Sequence, residues 1–302
     1  MAKTVVVTGA TGFIGARLAE RLAQEGYAVR AMTRRPERYA GAGTPVAGDV
    51  ADPASLDAAV RGADAAYYLV HSLDSADFAA KDAAGARNFA AASGRAGLER
   101  VIYLGGLGAG DERRLPPHLR SRREVERILR AGPVPVTTLR AAVVIGPGSI
   151  SWEITRQLVD HLPAVVTPRW VNTRTQPIAL PDVLRYLVGV LEPAEARGRT
   201  YDIGGPEVLR YLDMLQRVAR IRRKPLPNVS VPLLTPRLSS AWLALVTDVD
   251  LATARNLVDS MTTEATVQDG FAIRELVPGD PIGYDEAVRL ALAEQPADRT
   301  AD

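Results

Sequence analysis

Residues 4–15 read Thr-Val-Val-Val-Thr-Gly-Ala-Thr-Gly-Phe-Ile-Gly. The β-branched run at 5–7 is too short for a helix and is typical of a strand buried on both faces. Three glycines follow with the spacing Gly-x-x-Gly-x-x-Gly, and from residue 13 to residue 24 apolar side chains recur at helical spacing. A strand, a glycine turn and a helix in this order form the context of a dinucleotide fingerprint, whereas a lone glycine triplet would also fit an ordinary tight turn.

Each glycine of such a fingerprint has a physical role. Gly9 allows the tight turn, Gly12 lets the backbone approach a pyrophosphate, and Gly15 lets the helix pack closely against the strand. The helix N-terminus adds unpaired N–H groups and partial positive charge for the phosphates. We therefore predict that the loop and its flanking residues hold a dinucleotide, and this set is Thr8, Gly9, Thr11, Gly12, Phe13, Ile14 and Gly15.

The composition excludes several classes of protein. A chain of 302 residues with 47% hydrophobic and 24% charged residues is an ordinary globular protein. The net charge of +2 is spread along the chain and argues neither for nor against a nucleic-acid partner. Only 5% of residues are aromatic, without the alternation of basic and aromatic residues seen in RNA-binding proteins, so we expect no such partner. No apolar run reaches the ~18 residues of a membrane span, and no charged-then-apolar leader precedes the first strand. We expect a cytoplasmic protein.

Metal chemistry is not expected either. The sequence contains no cysteine, which removes disulfides, thiolate metal sites and a cysteine nucleophile together. Its three histidines, His71, His118 and His161, lie far apart, which argues against a histidine-based zinc site.

Strand-like runs alternate with helical patterns through the first half of the chain, which predicts parallel β-α-β units. The predicted strands are 5–7, 28–33, 45–47, 65–70, 101–104 and 135–144, and the predicted helices are 13–24, 53–60, 75–96 and 119–129. The expected fold class is α/β, with a Rossmann-type doubly wound parallel sheet.

The pattern changes after Gly146-Pro147-Gly148. Helices are predicted over 151–162, 180–191, 209–221, 236–246 and 251–260, and extended segments over 165–168, 201–203 and 229–231. We predict an NAD(P)-binding domain over residues 1–150, with returns to the sheet near 175–205. Residues 151–302 form a smaller mixed α/β cap on the substrate side, frayed at its last residues.

The end of the second strand distinguishes NAD from NADP. A carboxylate there would bond the ribose 2′-hydroxyl of NAD, whereas arginine accommodates the 2′-phosphate of NADP. The chain reads Thr33-Arg34-Arg35, and both guanidinium groups can pair with a phosphate, which favours NADP (NADPH). Asp49 and Val50 end the third strand, where side chains flank adenine, although Asp49 could instead cap the next turn.

These motifs resemble the short-chain dehydrogenase/reductase superfamily. The likeness rests on the segment 8–15, on Gly48-Asp49-Val50, and on Leu139-Arg140 followed by Gly146-Pro147-Gly148. It is closest to the atypical, NmrA-like branch of NAD(P)-binding proteins and covers about residues 3–205. By this resemblance the segment Leu69, Val70, His71 and Ser72 lies along the ribose and nicotinamide side of the cofactor.

The resemblance also implies a Ser or Thr after the fifth strand and Tyr-x-x-x-Lys on the next helix, and this chain departs from both. The tyrosine position falls on His118 and the lysine position on Arg122. His118 would be a general acid, because an imidazole titrates near neutral pH, and Arg122 would hold ribose or phosphate as a fixed cation. Alternatively the site has lost its proton chemistry, or His71 at the end of the fourth strand takes that role.

A second group of residues is predicted to face the substrate, namely Gly106, Trp170, Arg174 and Gln176. Three of them lie in the polar and aromatic segment 168–177, where the two predicted domains meet. That segment would equally serve as a hydrogen-bonded seam between the domains.

Two functions from different classes remain open. The first is an NADP(H)-dependent oxidoreductase that transfers hydride to a small apolar carbonyl, enone or quinone-like substrate. The second is a non-catalytic NADP(H)-binding regulatory protein of the NmrA-like type, and a weaker third is an epimerase or dehydratase with retained cofactor. The expected partners are a small-molecule substrate and either a second copy of the chain or a regulatory protein.

Overall fold

A parallel sheet of seven strands forms the centre of the fold. The computed structural model describes residues 2–72, 75, 77–162, 164–167, 169–230, 247, 256 and 258–294. In chain order the sheet strands are β1 (Thr4–Thr8), β2 (Ala28–Thr33), β3 (Thr44–Ala47), β4 (Ala65–Tyr68), β5 (Arg100–Gly106), β6 (Val136–Ala141) and β7 (Thr200–Ile203).

Helices flank this sheet and continue beyond it. They are α1 (Phe13–Gln24), α2 (Pro53–Val60), α3 (Phe78–Ala96), α4 (Pro117–Arg130), α5 (Ile150–His161), α6 (Leu180–Gly189), α7 (Tyr211–Ile221) and α8 (Tyr284–Ala293). A shorter helix covers Ile273–Leu276, and three pairs of short strands join Val144–Ile145 to Ile178–Ala179, Arg174–Thr175 to Leu209–Arg210, and Val165–Thr167 to Asn228–Ser230.

The strand order places a crevice at one edge of the sheet. Across the sheet the strands run β3-β2-β1-β4-β5-β6-β7, and all neighbours pair in parallel. The order therefore reverses direction between β1 and β4. In an open α/β sheet, ligands bind outside the carboxyl ends of the strands at such a reversal.

Successive residues of the strands point to opposite faces, and both faces are covered. Val5, Val7 and Tyr67 pack in a core shared with α1 and α6. Val6 and Tyr68 pack on the other side in a core shared with α2, α3 and α4. This arrangement confirms the predicted doubly wound sheet, because only strands with two apolar faces are buried on both sides.

A third core lies in the second half of the chain. It joins α5, α7 and α8 around the fully buried Trp152, and includes Met214 and Val288. The segment Thr200–Ile203 nevertheless returns to the central sheet beside β6, as the sequence predicted. The division into two domains at residue 150 stays a prediction.

Several predicted boundaries needed correction. The strand predicted over 135–144 ends at Ala141, and the helix predicted from residue 75 begins at Phe78. The helix predicted from residue 209 begins at Tyr211, because the two residues before it pair with Arg174–Thr175. The helix predicted over 236–246, most of that over 251–260, and the end predicted to be frayed lie outside the described residues.

Candidate functional site

A groove of about 1120 Å³ opens at the reversal of strand order. Its walls come from the carboxyl ends of β1, β2 and β4, from the segment after β3, and from one face of α3. The residues predicted to bind the dinucleotide that line it are Gly9, Thr11, Gly12, Thr33, Arg34, Arg35, Asp49, Val50, Leu69, Val70, His71 and Ser72. This size and position fit an extended ligand, since small-molecule sites are typically a few hundred to 1000 Å³.

The glycine loop has the geometry that the fingerprint requires. Gly9 has φ +65°, the left-handed conformation that glycine adopts without steric cost. Gly12 caps α1 and donates its N–H to Gly9 O at 2.9 Å. A Cβ on Gly15 would overlap Gly9 O and stand 2.8 Å from Gly9 C, so only glycine allows the helix this close to the loop.

The other residues predicted around this loop lie behind the groove wall. Thr8 is fully buried, and its Oγ1 accepts a hydrogen bond from Leu69 N at 3.0 Å, which ties the end of β1 to the end of β4. Phe13, Ile14 and Gly15 form the first turn of α1 and are absent from the groove lining, although amides in a first helical turn have no acceptor within the helix.

Three arginines surround the end of the groove beside β2. Arg34 and Arg35 are exposed, and Arg35 N donates to Thr33 Oγ1 at 3.3 Å. Arg38 joins them from the helical turn Pro36–Arg38. None of the three guanidinium groups forms an ion pair with a described residue. They are therefore available to a doubly charged phosphate, for which bidentate guanidinium pairs are well suited.

Asp49 serves the turn in which it lies. Its Oδ1 accepts from Ala51 N at 2.9 Å, and its own N–H donates to Ser55 Oγ at 2.9 Å. Asp49 also lines the groove. The capping interpretation therefore holds without excluding a second contact, because an ionised carboxylate has acceptor sites to spare.

Sequence reasoning missed the helical wall of the groove. Lys81, Ala84, Gly85 and Asn88 all line it from α3. Gly85 is required there, since a Cβ would stand 2.9 Å from Val50 Cγ2. The spacing i, i+3, i+4, i+7 marks one helix face, and this signal was available in the sequence.

A buried polar network lies beneath the far end of the groove. Asp82 of α3 is buried and accepts hydrogen bonds from Ser72 and from Ser121 Oγ, the latter at 3.3 Å. Burial raises the pKa of Asp82, while Arg122 and these hydrogen bonds oppose the rise. The network joins the end of β4 to α3 and α4, and so fixes Ser72 at the groove wall.

His71 and His118 both lie near the Arg122 guanidinium. Burial, followed by the positive charge of Arg122, lowers the pKa of His118 to about 3. The surrounding protein atoms, then Arg122 and His118, lower the pKa of His71, although its side chain is exposed to the groove. His118 is therefore neutral near pH 7, and its role as general acid stays a prediction.

His118 and Arg122 occupy successive turns of one face of α4. Neither of these two residues lines the groove, but both lie near enough to His71 to lower its pKa. A Cβ on Gly106 would stand 2.8 Å from Leu119 Cδ2 and 3.5 Å from Arg122 Cγ. The end of β5 therefore lies close to α4, and a side chain at residue 106 would displace the end of the Leu119 side chain.

Arg174 and Gln176, also predicted to face the substrate, are not among the residues that line the groove. Arg174 is exposed and pairs with Glu264 at 2.9 and 3.1 Å. Gln176 is buried, donates to Gly205 O at 2.8 Å and accepts from Val267 N at 2.9 Å. These contacts join the segment to residues later in the chain, and its role at the substrate or as a seam between the domains stays a prediction. Trp170 lies in the turn Arg169–Asn172, and its side chain is outside the described part.

Within the described ranges, no group of three or more His, Asp or Glu side chains is placed to hold a metal ion. Nor is any helix in that part of the chain long and apolar enough to cross a membrane.

Comparisons with known proteins agree with this geometry. A family profile described as NAD(P)H-binding matches residues 9–160. The chain is 33% identical over 175 residues to a (4-alkanoyl-5-oxo-2,5-dihydrofuran-3-yl)methyl phosphate reductase from Streptomyces griseus, a match that covers 55% of this chain and 59% of that relative. It is 28% identical over 275 residues to a putative dihydroflavonol 4-reductase from Synechocystis, covering 80% and 79% of the two chains.

The fold is also found among solved structures. An NADPH-dependent quinone oxidoreductase from Escherichia coli, in complex with NADPH, superposes with a TM-score of 0.77 at 19% identity. The superposition covers 94% of this chain and 98% of that one. At this level of identity the likeness shows the shared fold alone.

Proposed function

Because this chain belongs to the NAD(P)H-binding family, whose profile covers residues 9–160 of 302, we propose that it is an NADP(H)-dependent oxidoreductase. It transfers hydride between the cofactor and a small apolar carbonyl, enone or quinone-like compound. The observation that carries this proposal is the groove itself, which joins a glycine loop at one strand end to unpaired arginines at the next.

The residues present fit the cofactor. The Gly9–Gly12 loop is closed by a 2.9 Å hydrogen bond and leaves no room for a Cβ on Gly15, so amides rather than side chains face a diphosphate there. Arg34 and Arg35 would hold the 2′-phosphate that distinguishes NADP from NAD. The cofactor supplies the hydride or accepts it, and the protein supplies binding and orientation.

The other end of the groove would receive the nicotinamide and the substrate. His71 and Ser72 face this end, and Arg122 lies behind them as a cation that cannot relay protons. His118 is a neutral imidazole near pH 7, so one of its ring nitrogens carries a proton and the other has a lone pair that can accept one. The Ser-Tyr-Lys set of the superfamily is replaced here, and hydride transfer does not depend on it, because the cofactor carries the difficult step.

The names of the relatives support this reaction class. Both curated relatives are named reductases, and the structural neighbour is a quinone oxidoreductase. The choice of a carbonyl, enone or quinone-like substrate for this chain remains our proposal.

A second function is favoured by one observation. The position expected to supply an acid holds a histidine whose pKa is about 3, which makes an imidazolium scarce at neutral pH. A cofactor-binding regulatory protein of the NmrA-like type would need no such acid. The epimerase or dehydratase reading, the second copy or protein partner, and the cytoplasmic location stay predictions.

The test separates binding from turnover. Calorimetric titration with NADPH measures binding, and a panel of ketones, enones and quinones measures NADPH consumption. The oxidoreductase predicts both, with turnover reduced in His118→Gln and retained in the surface control His161→Gln. Binding without turnover on any class of the panel favours the regulatory protein, and absence of NADPH binding excludes both.

A further inference from the structure

The two ring nitrogens of His118 have different surroundings. Nδ1 lies 3.5 Å from Ser260 Oγ, on a segment distant in sequence. Nε2 is buried, and none of the described residues offers it a hydrogen-bond partner. A buried polar atom without a partner is unusual in a folded protein and is commonly explained by a ligand or a catalytic role.

The hydroxyl group of Ser260 decides which nitrogen carries the proton. Ser260 Oγ lies 2.8 Å from Asn256 O and donates its hydrogen to that carbonyl. Since a hydroxyl has a single proton, Ser260 presents only lone pairs to His118. The contact is favourable when Nδ1 carries the hydrogen and donates it to Ser260 Oγ.

A neutral imidazole has one N–H, so a proton on Nδ1 leaves a lone pair on Nε2. The neighbouring charge keeps the ring in that neutral form: Arg122 follows one turn later on α4, and His71 approaches from the end of β4. Nε2 is therefore an acceptor, and the group that it lacks is a hydrogen-bond donor.

We propose that Ser260 is a positioning residue that holds His118 as the Nδ1–H tautomer. His118 Nε2 then accepts a hydrogen bond from the hydroxyl group of the substrate. This inference deepens the proposed function and rests on it for the identity of the ligand. It assigns the substrate class as a secondary alcohol, whose hydroxyl donates to Nε2 and whose C–H bond supplies the hydride.

The proton and electron balance follows from this assignment. In oxidation of an alcohol, the O–H bond breaks and its proton moves to His118 Nε2, while the C–H bond breaks and its electron pair leaves as hydride to the oxidised cofactor. The C=O bond forms from the O–H electrons.

The tautomer is measured directly by ¹⁵N NMR on the full chain labelled at histidine. Only three histidines contribute signals, and His118→Gln identifies the pair that belongs to His118. In the cofactor-free protein we expect a protonated Nδ1 and an unprotonated Nε2. Ser260→Ala abolishes this preference, whereas Ser260→Thr, which keeps the hydroxyl, retains it. A protonated Nε2 in the wild type, or an unchanged Ser260→Ala spectrum, overturns the proposal.

The acceptor role is tested with phenol and anisole, which differ in whether the oxygen carries a proton. In the presence of NADP⁺, phenol should shift the Nε2 signal, and anisole should bind about tenfold more weakly, the effect of one hydrogen bond of about 1.4 kcal/mol. Equal shifts, or no shift with either probe, overturn the acceptor role. The tautomer is measured without cofactor and without turnover. A protein that neither binds nor consumes NADPH would therefore contradict the proposed function, while the NMR result for His118 would still stand or fall by itself.

Discussion

The replacement of Gly15 by alanine tests the link between close packing and cofactor binding. A Cβ at this position would overlap Gly9 O and stand 2.8 Å from Gly9 C and 3.1 Å from Ala10 Cα. Carbon atoms in good contact are about 3.5–4.0 Å apart, so the loop must retreat from α1 by roughly an ångström. The obstacles are backbone atoms, which cannot turn aside as a flexible side chain would.

Two opposing effects set the change in stability. Overpacking costs about 1–3 kcal/mol, and alanine in place of glycine inside a helix returns about 1 kcal/mol. We therefore expect Gly15→Ala to lower the free energy of unfolding by roughly 0–2 kcal/mol. The effect on the cofactor is larger, because displaced amides lose a hydrogen bond to a charged phosphate worth about 1.5–3 kcal/mol, or about tenfold to 100-fold in affinity.

A second helical glycine provides the matched control. A Cβ on Gly94 of α3 would overlap Pro133 Cγ, so Gly94→Ala is also overpacked, but it lies beyond the part of α3 that lines the groove. Chemical denaturation measures the stability of both variants, and calorimetric titration measures their affinity for NADPH. The two variants should lose comparable stability, and only Gly15→Ala should lose affinity. The reasoning is refuted if Gly94→Ala weakens binding equally, or if Gly15→Ala binds within twofold of the wild type.

Three further outcomes are expected. Replacement of Arg34 or Arg35 by alanine should lower the preference for NADPH over NADH by about tenfold or more in titrations at fixed salt, and a loss that is equal for both nucleotides would contradict a role at the 2′-phosphate. Burial and Arg122 hold the His118 pKa at about 3, below its ordinary value of 6.5. Between these two values the unfolded chain binds more protons than the folded chain, so the free energy of unfolding decreases as the pH is lowered below 6.5, by up to about 1.4 kcal/mol per pH unit. His118→Gln should show a shallower dependence in denaturation at several pH values, and an unchanged slope would contradict it. Asp82→Asn removes an acceptor of Ser72, so NADPH affinity should fall by about twofold to tenfold, whereas the surface variant Asp57→Asn should match the wild type.

Much of the sheet was predictable because its signals are local. The run at 5–7 is apolar on both faces, and the helix Phe13–Gln24 and the strand Ala28–Thr33 have the predicted bounds. Asp52 caps the next helix by accepting from Ala54 N, as Asp-Pro at a helix start indicates. Where boundaries were wrong, long-range pairing decided them, as at residues 209 and 210.

The site was only partly predictable. Residues that follow a strand end could be assigned to the groove, since parallel strands share one carboxyl edge. Arg38 and the α3 face were missed because each reaches the groove from an element whose own pattern suggested surface or core. The identity of Glu126 as the partner of Arg140, at 2.8 Å, depends on the tertiary structure, because the two side chains meet only when β6 lies beside α4.

The sequence by itself determined the class of fold and the position of the glycine loop, because backbone freedom, apolar periodicity and helix capping act within a few residues. Only the tertiary structure decided the electrostatic state of the site. His118 and Ser260 are 142 residues apart in the chain, yet they share a 3.5 Å contact. The burial that lowers the pKa of that imidazole depends on how α4 packs against the rest of the chain, and its contact with Ser260 is what we propose to set which nitrogen holds the proton.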